Sequence, residues 1–293
     1  VKDVAKIYFK EWIPDLPDFE NPGLTEAINT IPVRNTYKSF PTIAGNGEFT
    51  AGAGYTTNAD FTVLPWQGFV FSEEIADTTG VIISAGASVS AQQIWARVLA
   101  TSSGVNTANG WIACGATYSA ARGGGGADFV QYGTKVYLGG RTINSIAANS
   151  IAGGGTPTQV TAAPVANHLT VINQFLVGAN QNFAGTSGSS NVVQWSSIGN
   201  PDDWPTPGSA TAIARQAGAQ SLNTVHGIIT DATSGDEFGL IFQRAAITRM
   251  TYVGGSVVFQ FDRISDGIGC MYPHATAQVD GKVYFMGRTG FYV

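Results

Sequence analysis

The sequence predicts an all-β protein, a β-propeller with an extended proline-rich arm at its N-terminal end, and three observations carry that prediction. The first is a self-echo: Gln131-Tyr132-Gly133-Thr134-Lys135-Val136-Tyr137-Leu138-Gly139 returns, one residue longer, as Gln278-Val279-Asp280-Gly281-Lys282-Val283-Tyr284-Phe285-Met286-Gly287. Both copies read as a turn followed by a short alternating strand ending in Gly. Lys135 and Lys282 are 147 residues apart, room for about three units of roughly fifty residues, near the span of a four-stranded blade. The second observation is a series of hairpins in the same part of the chain. The third is negative: no run of convincing length has helical periodicity, which disfavours βαβ architectures.

Taken in order, the first forty-odd residues stand apart. Glu11-Trp12-Ile13-Pro14-Asp15-Leu16-Pro17-Asp18-Phe19 and Asn21-Pro22-Gly23 are aromatic and stiffened by proline, with further prolines at 32 and 41. Proline fixes φ and removes an amide donor, so long helix and central strand are both disfavoured. Residues 1–42 are therefore expected to be an arm lying on its own domain or on a neighbour, with a short helical turn or strand over Leu24 to Ile31. Residues 43–293 are expected to hold the blades. Asp60 to Phe71, Gly80 to Ser84, Ile94 to Leu99 and Trp111 to Cys114 read as strands.

The hairpins follow. Phe129-Val130 pairs with Val136-Tyr137-Leu138, and His168 to Ile172 pairs with Phe175 to Gly178 across Asn173-Gln174. Gly227-Ile228-Ile229 pairs with Leu240-Ile241-Phe242, and Ala275 to Val279 pairs with Val283-Tyr284-Phe285 across Asp280-Gly281, a strong hairpin signal. Second strands near 137, 176, 241 and 284 are unevenly spaced, as expected of blades whose outer loops vary. A pair of β-sandwiches is the alternative. The apolar close, Gly290-Phe291-Tyr292-Val293, leads us to expect that the parent polypeptide continues and completes the propeller.

Composition narrows the function classes. The chain is 44% apolar, enough for a real core, but only 12% charged, about half the usual share. Such a surface suits a large assembly, where charges would have to be desolvated; a secreted protein with a neutral polar surface is the other reading. A net charge of −5 leaves no basic footprint for clamping duplex DNA, although a passage through which DNA slides is compatible with a weakly acidic wall. Cys114 and Cys270 show no metal-type spacing and read as two free buried thiols. No stretch of 18 apolar residues predicts a membrane span, and Val1 to Lys10 lacks a signal-peptide pattern, so cytoplasmic synthesis is expected.

Catalytic chemistry is sparse. His168, His226 and His274 each stand at or near the start of a different predicted hairpin, so a three-His site is a candidate; hydrogen-bonded structural histidines are the ordinary reading. Neither Gly123 to Gly126 nor Gly153-Gly154-Gly155-Thr156-Pro157 continues into Lys-Ser or Lys-Thr, and both read as loops. Asn200-Pro201-Asp202-Asp203-Trp204-Pro205 reads as a turn held down by Trp204, with paired-acid glycosidic chemistry as the alternative. Asp231 with Asp236, and Asp262 with Asp266, read as turn or loop acids, with weak cation binding as the alternative. No catalytic residue, metal or cofactor is expected. Arg244, Arg249 and Arg263 cluster around alternating apolar residues and face either a partner subunit or solvent.

One long stretch resembles a known family. Phe238-Gly239-Leu240-Ile241-Phe242-Gln243-Arg244-Ala245-Ala246-Ile247-Thr248-Arg249-Met250-Thr251-Tyr252-Val253-Gly254, followed by Phe259-Gln260-Phe261-Asp262, Gly267-Ile268-Gly269-Cys270 and the second copy of the echo, is similar to virion proteins of tailed bacteriophages. Val193-Gln194-Trp195-Ser196, Asn200 to Trp204, and Trp12-Ile13-Pro14-Asp15 with Asn21-Pro22-Gly23, Ile31-Pro32, Tyr37 and Phe40-Pro41 fit the same pattern. The set resembles the tail hub or nozzle proteins (tail accessory factors) of short-tailed phages. It covers both ends and the C-terminal half, and residues 44–125 poorly.

The resemblance implies a propeller subunit in a homo-oligomeric ring, usually of six, below the portal and the tail adaptor. Fibres or spikes attach outside, and phage DNA passes transiently through the channel without specific binding. It also implies residence in the virion tail. The candidate assembly interface comprises Trp12, Pro14, Pro17, Phe19, Tyr37 and Phe40 of the arm, whose stiffness lowers the entropy lost on docking, with Arg244 and Arg249. A carbohydrate-binding or glycan-cleaving propeller, with Trp66, Trp95, Trp111 and Trp204 stacking on sugars, is one alternative. Another virion decoration protein is a second.

Overall fold

A computed structural model describes residues 128–140, 143–147, 156–181, 189–235 and 238–293 in full. Toward the N-terminus it describes the backbone of seven strands. β1 (Thr30–Val33) and β2 (Thr36–Ser39) form an antiparallel hairpin with Thr30 opposite Ser39 and Pro32 opposite Tyr37. The segment read as an extended arm thus contains a two-stranded sheet. Pro32 is tolerated there because each strand of a two-stranded sheet has an unpaired edge toward which a missing donor can face. Contacts divide the chain into one unit over residues 1–47 and another over 48–293.

The second unit is nearly all β. Its first sheet contains β3 (Trp66–Ser72), β4 (Thr78–Ala87), β5 (Gln92–Thr101), β6 (Gly104–Val105) and β7 (Ile112–Tyr118), with β6 and β7 both pairing β5. The next is β8 (Phe129–Tyr132), β9 (Lys135–Leu138), β10 (Asn144–Ala147) and β11 (Thr158–Gln159), neighbours in chain order. The third sheet runs β12 (His168–Ile172), β13 (Phe175–Ala179), β14 (Val192–Trp195) and β15 (Gly218–Ser221). The fourth runs β16 (Ile229–Ser234), β17 (Phe238–Gln243), β18 (Ala246–Gly254) and β19 (Val258–Asp266). The fifth has three strands, β20 (Thr276–Val279), β21 (Lys282–Met286) and β22 (Phe291–Tyr292).

Every one of these pairings is antiparallel. A hairpin forms at each of the four expected places, but the third takes its first strand from Ile229–Ser234, and Gly227 and Ile228 stay outside it. Among the described residues, helix is confined to a five-residue α1 (Ala210–Ala214), whose N-cap Ser209 Oγ accepts from the Ala212 N–H, and a 3₁₀ turn at Thr224–His226.

The core lies between the faces of consecutive sheets. Tyr137 of the second sheet and Ile143, just ahead of β10, meet Leu169 and Leu176 of the third and Trp204 from the segment between β14 and β15. Phe175, Val177, Val193 and Trp195 then meet Ile229, Ile241, Met250 and Phe259 of the fourth. Phe242 and Ile247 close on Cys270 and Phe285 toward the fifth. A sheet with neighbours on both faces must bury both, so all five residues of β13 are buried and the strand reads as a continuous apolar run instead of an alternation.

First strands also neighbour one another: β12 lies beside β8 and β16, and β16 beside β20. This brings the starts of four sheets to one place. Three acids read as loop residues are strand residues: Asp231 is the third residue of β16, and Asp262 and Asp266 lie in β19. The hairpin that follows Asp231 extends further than its apolar residues alone indicate, because Ala232 and Thr233 continue the ladder opposite Ile241 and Leu240.

Candidate functional site

The strand starts carry the ionisable residues. Asp128 immediately precedes β8, His168 opens β12, Asp231 is the third residue of β16, and His274 lies two residues ahead of β20. One side-chain donor atom from each of the four falls within 4.8 Å of the others. His168 is 1% exposed and Asp231 is 6% exposed, whereas the Asp128 and His274 side chains retain 20% and 23% of their surface. The group is therefore sealed on one side and open on the other.

The carboxylates are held from outside the cluster. Asp128 Oδ2 accepts from the Leu169 N–H at 3.0 Å, while Asp231 accepts from the Ala232 N–H at 2.9 Å and from Thr276 Oγ1 at 2.7 Å. His274 Nδ1 stands 2.9 Å from Asp128 Oδ1, and its ring centroid is 4.7 Å from that of His168. His168 Nδ1 is different. It lies 3.4 Å from Asp128 Oδ2 and 3.8 Å from Asp231 Oδ1, and it is buried with no hydrogen bond. Among the described residues, no other buried side-chain nitrogen or oxygen lacks one.

The two acids respond oppositely to this setting. Burial pushes the Asp128 carboxyl up, but the close His168 and His274 imidazoles outweigh it and hold the group well below the usual carboxylate range. Burial dominates at Asp231, and the Asp128 charge adds to it; attraction to His168 and the Thr276 hydroxyl only partly offset the rise.

Of the three histidines singled out from sequence, the structure brings together His168 and His274. His226 is elsewhere, 2.5 Å from an Arg263 guanidinium nitrogen and 3.6 Å from Asp266. Asp128 is the member that the sequence does not single out, and Asp231, expected as a loop acid beside Asp236, joins the histidines instead. A signal for Asp128 exists: it stands five residues ahead of the turn residue Gly133, as His168 stands five ahead of Asn173.

The remaining candidates disperse. Trp12, Pro14, Pro17, Phe19 and Phe40 lie outside the described residues, as do the Gly123 to Gly126 and Gly153 to Gly155 loops. Tyr37 is in β2, opposite Pro32. Arg244 is exposed and lies over Gly227; Arg249 is exposed on β18, with its guanidinium 4.3 Å from the Phe238 ring centroid. Trp204 is buried in the core with its indole N–H donating to the Pro201 carbonyl, so it offers no face to a sugar. Asp202 and Asp203 are engaged separately, the first with Lys135 and Tyr137, the second with Ser197 and Arg215. Cys270 is a buried free thiol.

No family model matches this sequence, and no curated protein matches it. Among solved structures, apo AztD from Citrobacter koseri shares 9% identity at a TM-score of 0.37, over 76% of this chain and 60% of that one. This chain thus spans about 60% of that structure's length. A likeness at that score carries no argument about fold or function.

Proposed function

We propose that this chain is a β-propeller subunit of the tail hub or nozzle of a short-tailed bacteriophage, a structural virion protein that acts by assembly. The observation that supports a propeller is the sheet order. Each four-stranded sheet described in full meanders in chain order, and the first strands of consecutive sheets lie side by side, as radial blades require. The tail reading rests on the residue pattern from Phe238 to Gly287, which folds as the last three strands of the fourth sheet and the first two strands of the fifth.

In this reading the subunits form a ring, of six by the resemblance, below the adaptor, with fibres or spikes outside and DNA passing within. Sparse charge favours such contacts, since few ions must be desolvated when subunits close on each other. The arm over residues 1–42 makes the ordered contact with a neighbour or with the adaptor, and Arg244 and Arg249 present charge to a partner.

Purified virions of the source phage, analysed by mass spectrometry and electron microscopy, test the proposal. The expected result is this chain in the tail fraction and a ring at the tail hub. Deleting residues 1–41 is expected to abolish ring assembly while leaving the β-type circular dichroism unchanged. A chain absent from particles, or a deletion that assembles normally, overturns the proposal or the arm's part in it, respectively.

A further inference from the structure

We propose that Asp128, His168, Asp231 and His274 bind one divalent transition-metal ion, best matched by zinc, which clasps the starts of four successive sheets. The donor set decides the class of ion. Two imidazoles with two carboxylates and no thiolate suit zinc and its first-row neighbours, whereas calcium and magnesium take oxygen donors throughout. Two carboxylates also balance a double positive charge.

Spacing agrees with the chemistry. A tetrahedral ion with bonds of about 2.0–2.2 Å sets its ligand atoms about 3.3–3.6 Å apart. The cluster has separations of 2.9, 3.4 and 3.8 Å, and none above 4.8 Å. Small side-chain rotations suffice to reach the bound geometry.

His168 supplies the independent observation. Burying a ring nitrogen without a hydrogen bond is costly, and native proteins rarely leave one so. Nδ1 of His168 faces the carboxylates at 3.4 and 3.8 Å, hydrogen-bonds neither and is close enough to share an ion with both. The Leu169 and Ala232 amides and the Thr276 hydroxyl fix the carboxylates from behind, the supporting arrangement that tuned metal sites require. With four protein ligands the site is closed in the manner of structural zinc, and the exposed edges of Asp128 and His274 give the ion a way in.

The ion ties together residues 128 to 274, joining in one centre groups that are otherwise linked only pairwise, as His274 is to Asp128. Its loss is expected to loosen the first strands against one another and not to abolish any one hairpin.

The test uses the full chain, stripped with a chelator and titrated with zinc chloride against a chromophoric competitor. One equivalent is expected to bind more tightly than about 10 µM, with a rise in Tm because the unfolded chain lacks the site. His168→Gln and Asp231→Asn are each expected to weaken zinc binding at least about tenfold, while His226→Gln, outside the cluster, leaves it unchanged. X-ray absorption on the zinc-loaded wild type is expected to show nitrogen and oxygen ligands without sulfur, and this arm stands even where a variant fails to fold. Absence of one-equivalent binding in the wild type, sulfur in the coordination shell, or full zinc affinity in folded His168→Gln and Asp231→Asn proteins overturns the proposal.

Discussion

The two copies of the echoed motif fold alike and are buried differently. β9 and β21 both follow a tight two-residue turn and both sit second in their sheets. Yet Tyr137 is 0% exposed and Tyr284, its counterpart, is 45% exposed. Tyr137 lies between the second and third sheets, packed with Ile143, Leu169 and Trp204, and its hydroxyl donates to Asp202. Tyr284 projects from the last described sheet. The same local sequence thus fixes a hairpin, and the neighbouring sheet decides what that hairpin contributes to stability.

Truncating the two tyrosines should separate them most. Tyr137→Ala is expected to cost about 3–5 kcal/mol, as for other large aromatic deletions in cores, whereas Tyr284→Ala should stay within about 1 kcal/mol. Urea midpoints of the two variants measure the difference. Equal losses would mean that the two environments do not differ in solution.

The junction that carries the second copy can be broken elsewhere. A methyl group on Gly269 would stand 2.0 Å from the Gln243 carbonyl oxygen and 2.7 Å from the Ala246 amide nitrogen, both backbone atoms. Gly269→Ala should therefore cost about 1–3 kcal/mol or more through forced backbone movement. Hydrogen exchange is expected to rise in β20 and β21 before it rises in β12 and β13.

Turn chemistry separates the copies on a smaller scale. Asp280 and Gly281 both have positive φ, the type I′ pattern, while the first turn places Gly133 at positive φ in its first central position. Gly281→Ala keeps the space but loses the conformational freedom, an expected cost of about 1–2 kcal/mol by urea denaturation. No change on that substitution would show that the turn does not hold the φ of +71° in solution.

The smallest effect is a pH dependence. Burial, and then the hydrogen bond to Asp202, raise the Tyr137 hydroxyl pKa. The unfolded chain then releases this proton from about pH 10 while the folded chain keeps it, so stability falls as pH rises above that point. Tyr137→Phe should lose about 1 kcal/mol at pH 7 and show a shallower alkaline decline than the wild type. An unchanged slope between pH 9 and 11 would remove Tyr137 from the linkage.

Much of this was written locally. Alternating apolar residues with Asp280-Gly281 or Asn173-Gln174 between them specify a hairpin through turn sterics and the two-residue side-chain period, which need no distant partner. The buried Trp204 beside Asn200-Pro201 was legible for the same reason. The edges of elements were less so: Asp231, Asp262 and Asp266 looked like loop acids because a charged side chain in a short window signals solvent. Asp231 is sheltered by His168 and Thr276, which come from other sheets, and a short window carries no mark of that; Asp262 and Asp266 stay exposed on β19.

The sequence by itself determined that the chain is β-rich, where its C-terminal hairpins turn and that its surface is poor in charge. Only the tertiary structure decided that Asp128, His168, Asp231 and His274 meet, and that His226 does not join them. Hairpin formation depends on residues within a few positions of each other. Convergence of four strand starts depends on how whole sheets stack, and that is set by the summed burial of Phe175, Trp195, Ile241, Phe259 and their neighbours far from the cluster itself.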